Sequence, residues 1–109
     1  MKKIIVLIFC MLCISACGNK LDYKEIMKEN DYVIIDVRTK EEYNESHIKD
    51  AINIPYDEID ENIEIEKDKV IFVYCKSGNR SNQAYNTLTN LGYEVYDLGS
   101  FENIDLEKE

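Results

Sequence analysis

The strongest constraint on this chain is the run Val70-Ile71-Phe72-Val73-Tyr74, which passes directly into Cys75-Lys76-Ser77-Gly78-Asn79-Arg80-Ser81. An unbroken apolar stretch of strand length, rich in β-branched and aromatic residues, reads as a strand buried on both faces, the pattern of a parallel sheet. Beyond the loop, Ala84, Leu88 and Leu91 recur at helical spacing in the segment from Ser81 to Leu91, and Gly92 stands where that helix would stop. A cysteine therefore lies where a central strand ends and a glycine-containing loop turns into a helix. The N–H groups of such a loop can converge on one point, and the positive end of the helix dipole adds to them. Both favour a thiolate, and Lys76 and Arg80 add positive charge nearby. Cysteines in such settings have pKa values of roughly 3.5–7.5 rather than about 8.5. Cys75 is the candidate nucleophile, and Lys76, Ser77, Gly78, Asn79, Arg80 and Ser81 form its candidate binding loop.

The segments around this unit alternate in type. Asp22 to Lys28 reads as a short helix with Leu21, Ile26 and Met27 turned inward, broken at Asn30-Asp31. Tyr32 to Arg38 is a second apolar run of strand length that ends in an Asp-x-Arg pattern. Thr39-Lys40-Glu41-Glu42 has the form of a capping box and opens a helix to about Glu45. Ala51 to Pro55 is a brief strand stopped by the only proline. Ile59 and Ile63 lie four apart in an acidic stretch, which predicts a surface helix with a narrow apolar edge. Tyr93 to Leu98 reads as a last strand, and Gly99 leads to a turn or short helix around Phe101 and Ile104. Strands alternating with helices imply an α/β fold with a parallel sheet covered on both faces, and such sheets bind ligands at the carboxyl ends of their strands.

At 109 residues the chain is at most one small domain. Its 22 acidic against 13 basic side chains, a net charge of −9, argue against nucleic acid as a partner, which requires a basic face. The start of the chain has a different character. Lys2-Lys3 precede an apolar stretch from Ile4 to Ile14, too short for the roughly 20 residues that span a bilayer but suited to a secretory signal. The stretch ends in Ile14-Ser15-Ala16-Cys17-Gly18, which resembles a bacterial lipobox. That resemblance implies a signal peptide over residues 1–16, diacylation of Cys17, a short linker at 17–20 and a domain over 21–109. The domain would be lipid-anchored to the bacterial cell membrane and face away from the cytoplasm. Cys10 and Cys13 would be removed with the signal, which leaves Cys75 as the only thiol and allows no internal disulfide.

Three blocks together resemble a rhodanese-like domain. They are Ile35-Asp36-Val37-Arg38 with Glu41-Glu42-Tyr43 and Ser46-His47-Ile48; Ala51-Ile52-Asn53-Ile54-Pro55; and Val73 to Ser81 with the following helix and Leu91-Gly92-Tyr93. The resemblance covers nearly all of residues 21–104. It implies a parallel five-stranded sheet flanked by helices on both faces, and sulfur transfer with Cys75 as nucleophile. The substrates would be a small sulfur donor such as thiosulfate and a thiophilic acceptor such as cyanide or a thiol. No metal or organic cofactor is implied. The loop amides from Lys76 to Ser81 would hold the thiolate and the persulfide anion. Cys75 to Arg80 spans six residues, the length the family associates with sulfur; related phosphatase loops are one residue longer, so phosphate should fit poorly. The chain departs from the family at Ser46 and at Gly99-Ser100-Phe101, and it contains no tryptophan.

Each remaining residue has a plainer role beside the chemical one. Arg80 binds the donor's anionic group or pins the loop, and both roles can hold together. Lys76 either attracts anionic donors or is simply solvated. Ser81 is expected as the helix N-cap, with direct contact to the sulfur anion as the alternative. Asp36 and Arg38 are expected to be structural, Asp36 bonded to nearby backbone and Arg38 paired with Glu42 or a neighbour. His47, the only histidine, is expected to pack rather than act as a base. Two other functions compete with sulfur transfer. One is a non-catalytic binding or sensing module; the other is thiol exchange through Cys75 with a thiol-bearing protein partner.

Overall fold

The computed structural model describes residues 22–109. The expectations for the signal segment, the lipobox cysteine, the linker and Leu21 lie outside them. In chain order the elements are α1 (Tyr23–Glu29), β1 (Tyr32–Asp36), α2 (Lys40–Glu45), β2 (Ile52–Asn53), a 3₁₀ turn (Tyr56–Glu58), β3 (Val70–Cys75), α3 (Asn79–Asn90), β4 (Glu94–Ser100) and a second 3₁₀ turn (Phe101–Asn103).

The sheet has the strand order β2-β1-β3-β4, and every pairing is parallel. β3 is central and buried along its whole length. Its side chains alternate between two cores. Ile71, Val73 and Cys75 pack with Ala84 and Leu88 of α3, with Ile35 of β1 and with Val95 of β4. Val70, Phe72 and Tyr74 pack with Ile34, Ile48 and Ile104, and Ile26 and Met27 of α1 close that side. Two covered faces explain why the run is apolar without alternation. The resemblance implies five strands; among the described residues the sheet has four. The C-terminal tail adds a single antiparallel bridge between Ile48 and Lys108, with the amides of His47 and Lys49 donating to the carbonyls of Glu109 and Glu107.

Local chemistry sets the element ends. The Asp22 carboxylate accepts from the amides of Lys24 and Glu25 and starts α1. Thr39 and Glu42 form the expected capping box at α2. α3 ends beside Gly92, as the sequence predicts. A bulge in β4 shifts the register, so that Val73 pairs with Asp97 but Tyr74 pairs with Gly99. Gly99 has φ +83°, a conformation that glycine adopts without strain, and its amide donates to Asp97 Oδ1. The extra residue brings Ser100 opposite Cys75.

The predicted surface helix through Ile59 and Ile63 is absent. Pro55 leads into the first 3₁₀ turn, and Asp60 then turns the chain by accepting from the Asn62 amide at 2.9 Å. A helix here would stack Asp57 on Glu61 and Asp60 on Glu64, like-charge pairs that destabilise it. Ile59 is buried all the same, and Ile63 packs against the α3 side of the core.

Leu88 is fully buried between α3 and the sheet. Leu88→Ala should cost about 2–5 kcal/mol, read as a lower urea midpoint at unchanged m-value. An unchanged midpoint would contradict this packing.

Candidate active site

Cys75 is the last residue of β3 and is fully buried. Gly78 closes the following turn in the left-handed conformation, φ +98° and ψ −13°, and is the N-cap residue of α3. A Cβ there would meet nothing within 4 Å, so the demand for glycine comes from the backbone angle alone. This turn aims two amides at one atom: Gly78 N lies 2.9 Å and Ser81 N 3.3 Å from Cys75 Sγ. The Ser81 hydroxyl is 3.4 Å from the same sulfur and 3.1 Å from the Gly78 carbonyl. Its single proton can serve either partner. With a thiol it donates to the carbonyl and accepts from S–H; with a thiolate it can donate to sulfur.

Burial pushes the Cys75 thiol up. The Ser81 hydroxyl and amide, and the amides of Gly78 and Ser77, pull the other way and prevail, leaving its pKa below the ordinary thiol value. Of the six expected loop amides, those of Gly78 and Ser81 lie within hydrogen-bonding distance of sulfur, and that of Ser77 also favours the anion. Ser81 is not the N-cap. The left-handed Gly78 lets α3 begin at Asn79, which places Ser81 inside the first turn, buried and against the sulfur. Asn79, Ser77 and Lys76 are exposed. The Lys76 carbonyl accepts from the Ser100 hydroxyl at 2.8 Å, which ties the loop to β4. Sequence reasoning missed that contact because it depends on the β4 bulge.

The charged residues form two pairs, Arg80 with Glu42 and Arg38 with its neighbour Asp36, the second among the partners expected for Arg38. Arg80 makes a bidentate contact with Glu42, Nη1 to Oε1 at 2.9 Å and Nη2 to Oε2 at 3.2 Å. One of its two expected roles, pinning the loop, is therefore present, here to α2. Arg80 and the Thr39 cap together hold the Glu42 carboxyl down to about 2. Arg38 does not reach Glu42. It folds back on Asp36, with Nη2 to Oδ2 at 2.6 Å and Nε to Oδ1 at 2.9 Å, and Nη2 also donates to the Ser46 carbonyl. Asp36 further accepts from the Arg38 amide at 2.9 Å and from the Tyr74 hydroxyl at 2.8 Å, so it is a buried structural carboxylate. The Arg38 guanidinium lies 4.3 Å from the centre of the Phe101 ring.

His47 stacks on Tyr43 with ring centres 3.8 Å apart, and its Nδ1 is 2.8 Å from the Tyr43 carbonyl. It packs, as the sequence predicts, and has no contact with Cys75. Among the described residues no group of three or more His, Cys, Asp or Glu is placed to hold a metal ion. The site can therefore present a buried, amide-stabilised thiolate, held from α2 and β4, to a small electrophile.

Residues 20–107 match the rhodanese-like domain family. The chain is 38% identical over 78 residues to the thiosulfate sulfurtransferase PspE of Escherichia coli, covering 68% of this chain and 75% of that protein. It is 38% identical over 85 residues to the thiosulfate sulfurtransferase GlpE of Coxiella burnetii, covering 75% of this chain and 79% of that one. A solved structure described as a rhodanese with anions from E. coli superposes with a TM-score of 0.67 at 36% identity, covering 72% of this chain and 96% of that one.

The hydrogen bonds to sulfur have a direct consequence for reactivity. The midpoint of the pH dependence of Cys75 alkylation should fall below the roughly 8.5 of a free thiol. Ser81→Ala removes a donor that favours the anion, so it should move that midpoint upward. Identical midpoints in the two proteins would remove the Ser81 hydroxyl from the account.

Proposed function

The chain belongs to the rhodanese-like family, and from that premise we propose that it is a sulfurtransferase working through a persulfide on Cys75. The observation that carries the proposal is the convergence of Gly78 N, Ser81 N and Ser81 Oγ on one buried sulfur at the end of the central strand. In the first step the Cys75 thiolate attacks the outer sulfur of a donor such as thiosulfate. The donor's S–S bond breaks, sulfite leaves with the bonding pair, and Cys75 carries the transferred sulfur. In the second step a thiophilic acceptor, cyanide or a thiolate, attacks that outer sulfur, and the Cys75 thiolate leaves. No net proton or redox equivalent is needed in either step. The amides that favour the thiolate favour the persulfide anion for the same reason. The donor's charge meets the loop amides, with the Arg80 guanidinium, held by Glu42, close by.

The names of PspE and GlpE as thiosulfate sulfurtransferases support this reading. So does the six-residue span from Cys75 to Arg80, which leaves a tight cradle around a single sulfur. With thiosulfate and cyanide the protein should form thiocyanate with the parallel-line pattern of a two-step covalent mechanism. Cys75→Ser should abolish turnover while leaving thermal unfolding unchanged; turnover retained by that variant would end the covalent mechanism.

The same proposal extends to location. Lys2-Lys3, the apolar stretch from Ile4 and the sequence Ser15-Ala16-Cys17 support a signal peptide, acylation of Cys17 and an extracytoplasmic domain on a bacterial membrane. Cys17→Ala should eliminate labelling by a fatty-acid analogue and release the protein from the membrane fraction. Labelling that persists in the variant would exclude Cys17 as the anchor.

A further inference from the structure

A small pocket of about 200 Å³ opens beside the loop and is lined by residues that the chemistry above leaves free. Sites for drug-sized ligands occupy roughly 300–1,000 Å³, so this one suits a molecule of amino-acid size. Part of the lining is cationic. Lys76 directly follows the nucleophile, is exposed, and its ammonium has no ion-pair partner among the described residues. Arg38 also lines the pocket although it is only 6% exposed. Its Nε and Nη2 are engaged by Asp36 and Ser46, whereas Nη1 has no hydrogen-bond partner among the described residues. Part of it is anionic. Glu45 and Glu102 line the pocket, both are exposed, and neither has an ion-pair partner among the described residues. Glu42 and Asp36 add no free charge, since Arg80 and Arg38 already neutralise them. Phe101 adds an apolar surface to the lining.

The remaining free charges are one ammonium and two carboxylates, and Arg38, its charge met by Asp36, adds an unshared Nη1 hydrogen-bond donor. A dianion meets more repulsion than attraction among these charges. A molecule bearing a carboxylate and an ammonium on one carbon can satisfy both kinds of group together. We infer that this pocket binds the acceptor, and that the acceptor class is a small zwitterionic thiol of the cysteine type, its carboxylate on Arg38 and Lys76 and its ammonium on Glu45 and Glu102. The inference rests on the sulfurtransferase reading. The acceptor's thiolate attacks the outer sulfur of the Cys75 persulfide, the S–S bond breaks, and the pair returns to Cys75. The products are the free enzyme thiolate and the acceptor's persulfide.

The test is single-turnover discharge of the sulfur-loaded protein by four thiols: cysteine, cysteamine, 3-mercaptopropionate and 2-mercaptoethanol. Rates are compared after allowing for thiol basicity, with a Brønsted slope of about 0.4–0.5. Each charge should contribute about fivefold, the size of a partly exposed ion pair, so cysteine leads both singly charged analogues and 2-mercaptoethanol is slowest. With Glu45→Gln/Glu102→Gln, cysteine should lose its lead over 3-mercaptopropionate but keep its lead over cysteamine. With Lys76→Gln the lead over cysteamine should shrink instead. A flat series in a protein that loads and discharges sulfur overturns the pocket assignment and leaves the sulfurtransferase reading intact.

A second measurement needs no sulfur transfer. Titration with unreactive S-methylcysteine should shift the backbone amide resonances of Lys76 and Phe101 saturably, and 3-(methylthio)propionate should do so about fivefold more weakly. Equal or absent shifts overturn the assignment. If the protein takes up no sulfur but S-methylcysteine binds with this preference, the pocket assignment stands as a binding site for zwitterionic thiols and the transfer reading fails.

Discussion

Asp36 is a carboxylate with no access to water, and the end of the sheet that carries the nucleophile is arranged around satisfying it. A buried, unpaired carboxylate would cost several kcal/mol. Here it accepts from the Arg38 side chain and amide and from the hydroxyl of Tyr74, which itself accepts from the Ile48 amide. Arg38 extends the network to the Ser46 carbonyl and the Phe101 ring. One carboxylate thereby joins the end of β1, the penultimate residue of β3, the segment after α2 and the start of the C-terminal segment. Tyr74 is fixed from below, and Cys75 is fixed with it.

The loop above is held by weaker and more exposed contacts. Glu42 and Arg80 are each about one-quarter exposed, so their ion pair stabilises the fold modestly. Its importance is geometric. Glu42 caps α2 through Thr39 and grips Arg80 in the first turn of α3, so one side chain fixes the distance between the two elements that flank the sulfur. Ser100 holds the other end of the loop through the Lys76 carbonyl. The amides of Gly78 and Ser81 therefore point at Sγ before any substrate arrives, which is what electrostatic preorganisation requires.

Much of this was legible in the sequence because it is local. The β3 run, the Thr39–Glu42 capping box, the stop at Gly92 and the glycine in the loop each announce themselves within a few residues. The charge pairings were legible only in part: a neighbour is among the partners expected for Arg38, whereas Glu42 is not expected for Arg80. Asp36, Arg38, Glu42 and Arg80 comprise two acids and two bases, and which pairs with which depends on how β1 aligns with β3. The register that sets Asp36 beside Tyr74 turns Arg38 inward and leaves Glu42 for Arg80. Ser81 lies inside the first turn and not at the cap because a left-handed glycine can begin a helix without a side-chain cap. The helix expected through Ile59 and Ile63 does not form because its apolar spacing comes with like charges four residues apart. The bulge at Gly99 that brings Ser100 to the loop has no sequence signal beyond the glycine itself.

The central claim is that Cys75 carries the transferred sulfur, and the most direct test is the intact mass of the protein after exposure to thiosulfate, with and without a subsequent reductant. The account predicts a gain of one sulfur atom, located on the peptide that contains Cys75 and removed by the reductant. No mass gain from a protein whose Cys75 is shown to be alkylatable would contradict it.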